Sequence, residues 1–190
     1  MNYYDDHAEE FCSSARHSYV TRELQRFLEF LPKQAKILDA GSGSGRDSLA
    51  LARLGHTVVS IDASTEMVAA TTRLTNKEAR RMRFDEIDFD DEFDGVWACA
   101  SLLHVPGDEI DHVLRRIYNA LKTHGILYAS FKYGSGEGMR NGRWFVDYDE
   151  AKIAQHITPE FPIVRSWVTS DVRPDRGSEL WLNVLMRRQP

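Results

Sequence analysis

Three glycines alternate with serines at Gly41-Ser-Gly-Ser-Gly, directly behind an apolar run that ends in an acid, Ile37-Leu-Asp-Ala. A loop with almost no side chains lets a ligand lie against bare backbone. Arg46 to Leu54 reads as a helix, so Gly41, Gly43 and Gly45 occupy a strand-to-helix turn. In an open α/β sheet that turn is where a nucleotide-like ligand docks. A dinucleotide fingerprint needs Gly-x-Gly-x-x-Gly, with its third glycine inside the first helical turn. The spacing here is Gly-x-Gly-x-Gly, and the charged Arg46 stands where a dinucleotide fold wants no side chain. Asp39 precedes the loop by two residues, and a second acid, Asp62, closes the next apolar run, Thr57-Val-Val-Ser-Ile-Asp.

This set resembles the class I S-adenosylmethionine-dependent methyltransferases, whose first cofactor motif is Asp-x-Gly-x-Gly-x-Gly. Gly43-Ser-Gly-Arg-Asp-Ser and the compact length resemble the small-molecule branches, of the tellurite-resistance type and the methyltransferase type 11, 12 and 25 groups. The resemblance covers residues 35 to 187 and implies a cofactor set along this edge. Gly41 and Gly43 would meet the methionine and ribose through backbone groups, with Gly45 and Arg46 completing the loop. Asp39 would hold the ammonium group indirectly or orient the loop. Asp62, an ionised carboxylate with two acceptor oxygens, would take both ribose hydroxyls. Ala63 would lie under the adenine edge, and Ala100 would border the cofactor at the end of the fourth strand. The family commonly has an acid after the third strand. Here Arg83 takes that place, and Phe84 and Asp85 remain alternatives for the adenine contact.

Two further segments carry chemistry. Ala98-Cys-Ala-Ser-Leu-Leu-His-Val-Pro holds His104, the one side chain at that edge that titrates near neutrality. It is a general-base candidate, with Tyr4 as a second acid/base or covering group; a histidine that merely caps the turn before Pro106 is the plainer alternative. Residues 130 to 148 leave the fifth strand through a glycine-rich loop (134 to 142) and carry Lys132, Arg140 and Arg143, with Tyr133, Trp144, Phe145 and Tyr148 as ring faces. It is expected to be a substrate lid in which Lys132, Tyr133, Arg140 and Arg143 contact an anionic or polarised small molecule. Asp62, Ser101, His104 and this lid thus form one expected site. Seven acids between 85 and 94 read as a solvated loop, and no histidine cluster accompanies them, so no metal is expected.

These residues need a scaffold. Helix is expected over 5 to 31, 46 to 54, from Ser64 onward, 109 to 122 and near 149 to 157. Strand is expected at 36 to 40, 57 to 62, 81 to 84, 93 to 100, 126 to 133, 163 to 171 and 179 to 187. Alternation implies a Rossmann-like, doubly wound, mostly parallel seven-stranded sheet with helices on both faces. The last two strands, joined by the turn at Arg173 to Ser178, imply a C-terminal antiparallel hairpin. Residues 1 to 34 are expected to be an N-terminal helical cap segment on a single domain spanning 35 to 190.

Bulk properties narrow the function. The 190 residues suit one domain, and 42% hydrophobic with 28% charged residues is ordinary globular composition. A net charge of -5 argues against a nucleic-acid acceptor, because phosphate affinity needs concentrated Lys and Arg. Cys12 and Cys99 match no metal-ligand spacing and read as reduced thiols of a cytoplasmic protein. No apolar run is long enough for a membrane span. A monomer or weak homodimer is expected. Methyl transfer from a sulfonium is an in-line displacement that asks for alignment and water exclusion, which explains the sparse catalytic machinery. The competing functions are a nicotinamide-dependent oxidoreductase, disfavoured by the glycine spacing and Arg46, and a non-catalytic module that binds S-adenosylmethionine.

Overall fold

A computed structural model describes Asp5 and residues 21–171 and 177–190. Its centre is a seven-stranded sheet in the order β3-β2-β1-β4-β5-β9-β8. The strands are β1 (Lys36–Ala40), β2 (Thr57–Asp62), β3 (Arg80–Arg81), β4 (Phe93–Ala98), β5 (Leu121–Lys132), β8 (Ile163–Ser170) and β9 (Leu180–Arg187). Pairing from β3 through β5 is parallel, whereas β9 runs antiparallel to both β5 and β8. Among the described residues the helices are α1 (Arg22–Leu28), α2 (Arg46–Arg53), α3 (Thr65–Thr75), α4 (Ile110–Ala120) and α5 (Glu150–Ala154). The Rossmann-like sheet with its closing antiparallel hairpin is therefore as expected.

Alternation along the central strands divides the core between the two faces. Leu38 and Ala40 of β1 join a cluster with Val96, Ala98, Leu127, Ala129 and the apolar side of α4. Ile37 joins the opposite cluster with Leu24 and Phe27 of α1, Leu51 of α2, and Trp97 and Tyr128. Trp97 and Tyr128 stack with centroids 4.0 Å apart. Strands buried on both faces must read as near-continuous apolar runs, which is why β1 and β4 were legible. The strand order reverses direction between β1 and β4, so their C-terminal ends part and open a crevice.

Several boundaries differ from expectation, each for a local reason. The helix expected to run to 122 stops at Ala120, and β5 starts at once with Leu121 paired to Phe93. Arg188 reaches back to the carbonyls of Asn119 and Leu121, satisfying the helix end. The third strand is only Arg80–Arg81. A 3-10 turn, Phe84–Glu86, takes over where Glu86 Oε2 accepts the Arg83 amide at 2.8 Å. The fourth strand ends at Ala98, because Ala100 turns with φ 52°. The largest departure lies in the glycine-rich loop, which contains a hairpin of β6 (Glu137–Arg140) and β7 (Arg143–Val146). Its turn is Asn141-Gly142 with φ 49° and 76°, the left-handed pair that two-residue hairpins require. In the N-terminal stretch expected to be helical, α1 spans Arg22–Leu28 and Thr21 caps it, its hydroxyl accepting from the Leu24 amide. Tyr4, Cys12, Arg173 and Arg176 lie outside the described residues.

Candidate active site

The glycine loop is built from two close approaches. Gly41 (φ 87°) lies where an added Cβ would stand 2.5 Å from Ser101 Cβ, and Gly45 (φ 83°) where it would stand 2.8 Å from Thr71 Cα. Any side chain at Gly41 would therefore close the β1/β4 seam, and one at Gly45 would push α3 away. The amides of Gly41 and Ser42 both donate to the Ile61 carbonyl at 2.9 Å, tying the loop to β2. Thr71 Oγ1 donates to the Gly43 carbonyl at 2.9 Å, tying it to α3.

Asp62, at the end of β2, joins the second acid to the loop. Its Oδ2 accepts the Gly43 amide and its Oδ1 the Ser64 amide, each at 2.9 Å. A carboxylate has about four acceptor positions, so capacity for further donors remains on both oxygens. Burial raises its pKa, against the two amides that favour the charged form, and the nearby Asp5 adds to the rise. Asp5 itself accepts from Ser64 Oγ at the start of α3, a role with no signal in the sequence. Ala63 is exposed beside Asp62.

The alternatives for the ring contact separate in space. Asp85 turns outward to Arg83, which donates to both its oxygens at 2.9 and 3.2 Å and holds its pKa below the usual carboxylate range. Phe84 turns inward, its Cζ 3.4 Å from the Cβ position of Gly41. It presents a partly buried aromatic edge to the crevice.

Asp39 does not reach the loop surface. It is 2% exposed and faces α2, where Ser48 Oγ donates to it at 2.5 Å and meets Ser60 Oγ at 2.8 Å. Burial, with Asp47 adding repulsion, pushes its pKa up to about 7. Arg46 turns back along α2 onto Asp47, donating from Nε at 2.7 Å and Nη2 at 3.0 Å. Asp47 Oδ2 also accepts from Trp97 Nε1 at 3.0 Å. Arg46 is thus clamped over the edge of β1 and β4. Cys99 below it is pushed up to about 12, chiefly by burial, and is an inert thiol.

Beyond β4 the chain turns sharply. Ala100 holds φ 52°, a conformation that costs a residue with a Cβ about 1–2 kcal/mol. Ser101 follows and donates from Oγ to the Ala40 carbonyl at 2.7 Å, bridging β4 to β1. A 3-10 turn, Leu102–His104, then carries His104 under the β6–β7 hairpin. His104 Nδ1 lies 2.7 Å from the Trp144 carbonyl, and its ring meets Phe145 edge-on at 4.7 Å. A carbonyl only accepts, so Nδ1 carries the proton and Nε2 is the ring's acceptor nitrogen. Burial, with help from the Arg143 charge, lowers the His104 pKa and keeps the ring neutral near pH 7.

The four residues expected to meet substrate come together. Lys132, Tyr133, Arg140 and Arg143 line one cavity of about 450 Å³, with Phe145, Asp147 and Glu179. Their charges are already engaged. Arg140 binds both oxygens of Asp147 at 2.8 and 2.6 Å, and Lys132 pairs with Glu179 and lies 4.5 Å over Trp181. Tyr133 donates to Glu150 at 2.8 Å, and the Arg143 guanidinium lies 5.0 Å over Phe145. Phe145 lines this cavity and also meets His104, three residues along the chain from Ser101. Among the described residues no group of acids, histidines and cysteines could hold a metal, and no helix is long and apolar enough to cross a membrane.

The residues of the crevice fit a nucleoside-bearing cofactor. Bare backbone lies at Gly41, an acceptor-rich carboxylate at Asp62 and an aromatic edge at Phe84. Residues 38–129 match the family model described as a methyltransferase domain. The chain is 30% identical over 114 residues to the YqeM protein of Bacillus subtilis (strain 168), covering 54% of this chain and 46% of that one. It is 26% identical over 189 residues to the tRNA 5-carboxymethoxyuridine methyltransferase of Escherichia coli (strain K12), covering 84% and 69%. In fold it is similar to the Burkholderia thailandensis 1,6-didemethyltoxoflavin-N1-methyltransferase, a structure with bound S-adenosylhomocysteine. That likeness has a TM-score of 0.77 at 23% identity, covering 97% of this chain and 86% of the other. Together with the strand order and the Gly43–Asp62 cradle, these likenesses set aside the nicotinamide oxidoreductase. Residues 38–129 form a methyltransferase domain, and the chain has the fold of the S-adenosylmethionine-dependent methyltransferases.

Proposed function

We propose that the protein transfers a methyl group to a small-molecule acceptor seated in the cavity beneath the β6–β7 hairpin. The observation that supports this reading is the contact of Phe145, which lines the cavity, with His104, which follows Ser101 in the turn after β4. When bound, S-adenosylmethionine supplies an activated methyl group that passes to the acceptor by in-line displacement.

The chain's own residues have limited but definite tasks. Gly41 and Gly43 would present backbone to the cofactor, and Asp62 would accept hydrogen bonds from its hydroxyls while the Gly43 and Ser64 amides keep the carboxylate oriented. Phe84 bounds the ring site. Arg140 and Arg143, planar cations suited to oxyanions, would orient an acceptor carrying a carboxylate or similar group. Such a group would compete with Asp147 for Arg140, so binding exchanges one ion pair for another. His104, neutral with Nε2 as acceptor, would take a proton from a hydroxyl or amine nucleophile. A soft nucleophile would need no such help. The hairpin over His104 limits water at the reacting centre.

An RNA acceptor is the second reading, favoured by the likeness to the E. coli tRNA enzyme over most of this chain. The net charge of -5 and the carboxylate partners of the cavity's cations favour the small molecule. Thermal denaturation with S-adenosylhomocysteine and with NADH tests the cofactor, because a tight ligand raises the melting temperature by mass action. Release of S-adenosylhomocysteine with a metabolite library, against total tRNA from the same cells, then tests the acceptor. Turnover with tRNA alone would overturn the small-molecule reading.

A further inference from the structure

We infer that Ser130 is a positioning residue for the cofactor, holding the turn after β4 in the conformation that closes the crevice floor. The inference rests on the cofactor reading above. Five described non-glycine residues have positive φ: Asn76, Asp91, Ala100, His124 and Asn141. Four are of the types enriched in that region, and Asn and Asp can bond the neighbouring backbone there. Ala100 is the exception, because its methyl group can make no such bond. It is also exposed, so packing around its side chain does not hold it in place.

What holds it comes from the neighbouring strand. The Ala100 amide donates to Ser130 Oγ at 2.8 Å. Ser130 is 3% exposed and sits between Ala129, paired with Ala98 of β4, and Phe131, while Asn183 of β9 faces it across the ladder. The backbone of Ser130 is held in the ladder on both sides, and its hydroxyl, while accepting from Ala100, donates to Cys99 Sγ at 3.9 Å. From Ala100 the chain enters Ser101, whose Oγ bonds the Ala40 carbonyl and whose Cβ lies 2.5 Å from the Cβ position of Gly41. The sequence of contacts runs from Ser130 to Ala100, to Ser101, and to the first glycine of the loop. Strained backbone held by its surroundings is a common device of pre-organised sites. Here the strain lies at the crevice rather than in the core, and the residue that sustains it touches no part of the crevice surface itself.

The test is binding of S-adenosylhomocysteine by calorimetry to the wild type, Ser130→Ala and Ser130→Ala/Ala100→Gly, with the unliganded melting temperature of each. Ser130→Ala should weaken binding by about tenfold, the effect of one lost hydrogen bond at the upper end of its range. Glycine adopts the left-handed turn without a brace, so the double variant should recover to within about twofold of wild type. Ser130→Cys, with a weak acceptor of similar size, replaces alanine if that variant does not fold. A Ser130 variant that binds as tightly as wild type, or melts lower with unchanged affinity, overturns the inference. So does a double variant no better than the single one. A wild type that fails to bind overturns the cofactor reading, and the inference with it.

Discussion

The amide of Gly43 donates to Oδ2 of Asp62 at 2.9 Å, across a sequence separation of nineteen residues. This bond makes one cradle of the glycine loop after β1 and the acid that closes β2. The loop cannot shift without disturbing the carboxylate, and the carboxylate cannot rotate without losing an amide donor.

Asp62→Asn keeps the size and removes the charge. The Gly43 and Ser64 amides then face one oxygen and one NH2 group. Affinity for S-adenosylhomocysteine should fall about 10- to 100-fold, in line with the loss of charge-assisted hydrogen bonds. Titration calorimetry measures this directly, and unchanged affinity would remove Asp62 from the cofactor set.

Gly45→Ala and Gly55→Ala differ in space and share a positive φ. Gly55 (φ 91°) has nothing within 4 Å of its Cβ position, whereas Gly45 would meet the Thr71 backbone at 2.8 Å. Gly55→Ala should cost only the left-handed strain, about 1–2 kcal/mol. Gly45→Ala should cost that plus overpacking, about 2–5 kcal/mol in all. Urea denaturation of the two variants gives the comparison, and equal losses would refute the steric account.

His104→Ala should lower turnover of a hydroxyl or amine acceptor by about 10²-fold or more. Because the His104 pKa lies below its ordinary 6.5, the wild type should lose rate only as pH falls below that value. The variant should lack this acid limb. A pH–rate profile that His104→Ala leaves intact would deny it the base role.

Arg143→Ala removes the cation that lies over Phe145 in the cavity. The KM for an anionic acceptor should rise about tenfold or more, with affinity for S-adenosylhomocysteine close to wild type. Initial-rate kinetics with binding measured in parallel separates the two. A loss confined to cofactor affinity would contradict the placement of the acceptor.

Asp39 makes stability pH-dependent. Its pKa is about 7 in the folded protein against 3.8 ordinarily. Between those values the folded state holds a proton that the unfolded chain has released, so this group's contribution falls as pH rises. The protonated acid stabilises at pH 4, and that contribution is gone above pH 7, within a ceiling of about 4 kcal/mol. Asp39→Asn, permanently neutral, should flatten the slope between pH 4 and 7 and be more stable than wild type at pH 8. Denaturant melts across that range decide, and an unaltered slope would show that Asp39 ionises normally.

The sequence by itself determined the class of sheet, the glycine turn, the acid at position 62 and the methyltransferase domain. Those features are local: an apolar run long enough for a buried strand, a spacing of glycines, an acid at a strand end. It also indicated which loop carries the cations, because Lys132, Tyr133, Arg140 and Arg143 stand close together along the chain. The hairpin within that loop was signalled by Asn141-Gly142 but obscured by glycines that read equally well as an open loop. Only the tertiary structure decided where each carboxylate points. Asp39 and Asp62 look alike as acids ending strands, yet one faces Ser48 under α2 and the other faces the glycine loop. Phe84 and Asp85 likewise part company only in space, Arg83 drawing Asp85 outward while Phe84 turns toward Gly41. The brace from Ser130 to Ala100 was invisible in the sequence, since a serine inside a strand gives no sign of its neighbour across the ladder. Side-chain direction and cross-strand register arise when distant segments pack, and a pattern read along one chain does not contain them.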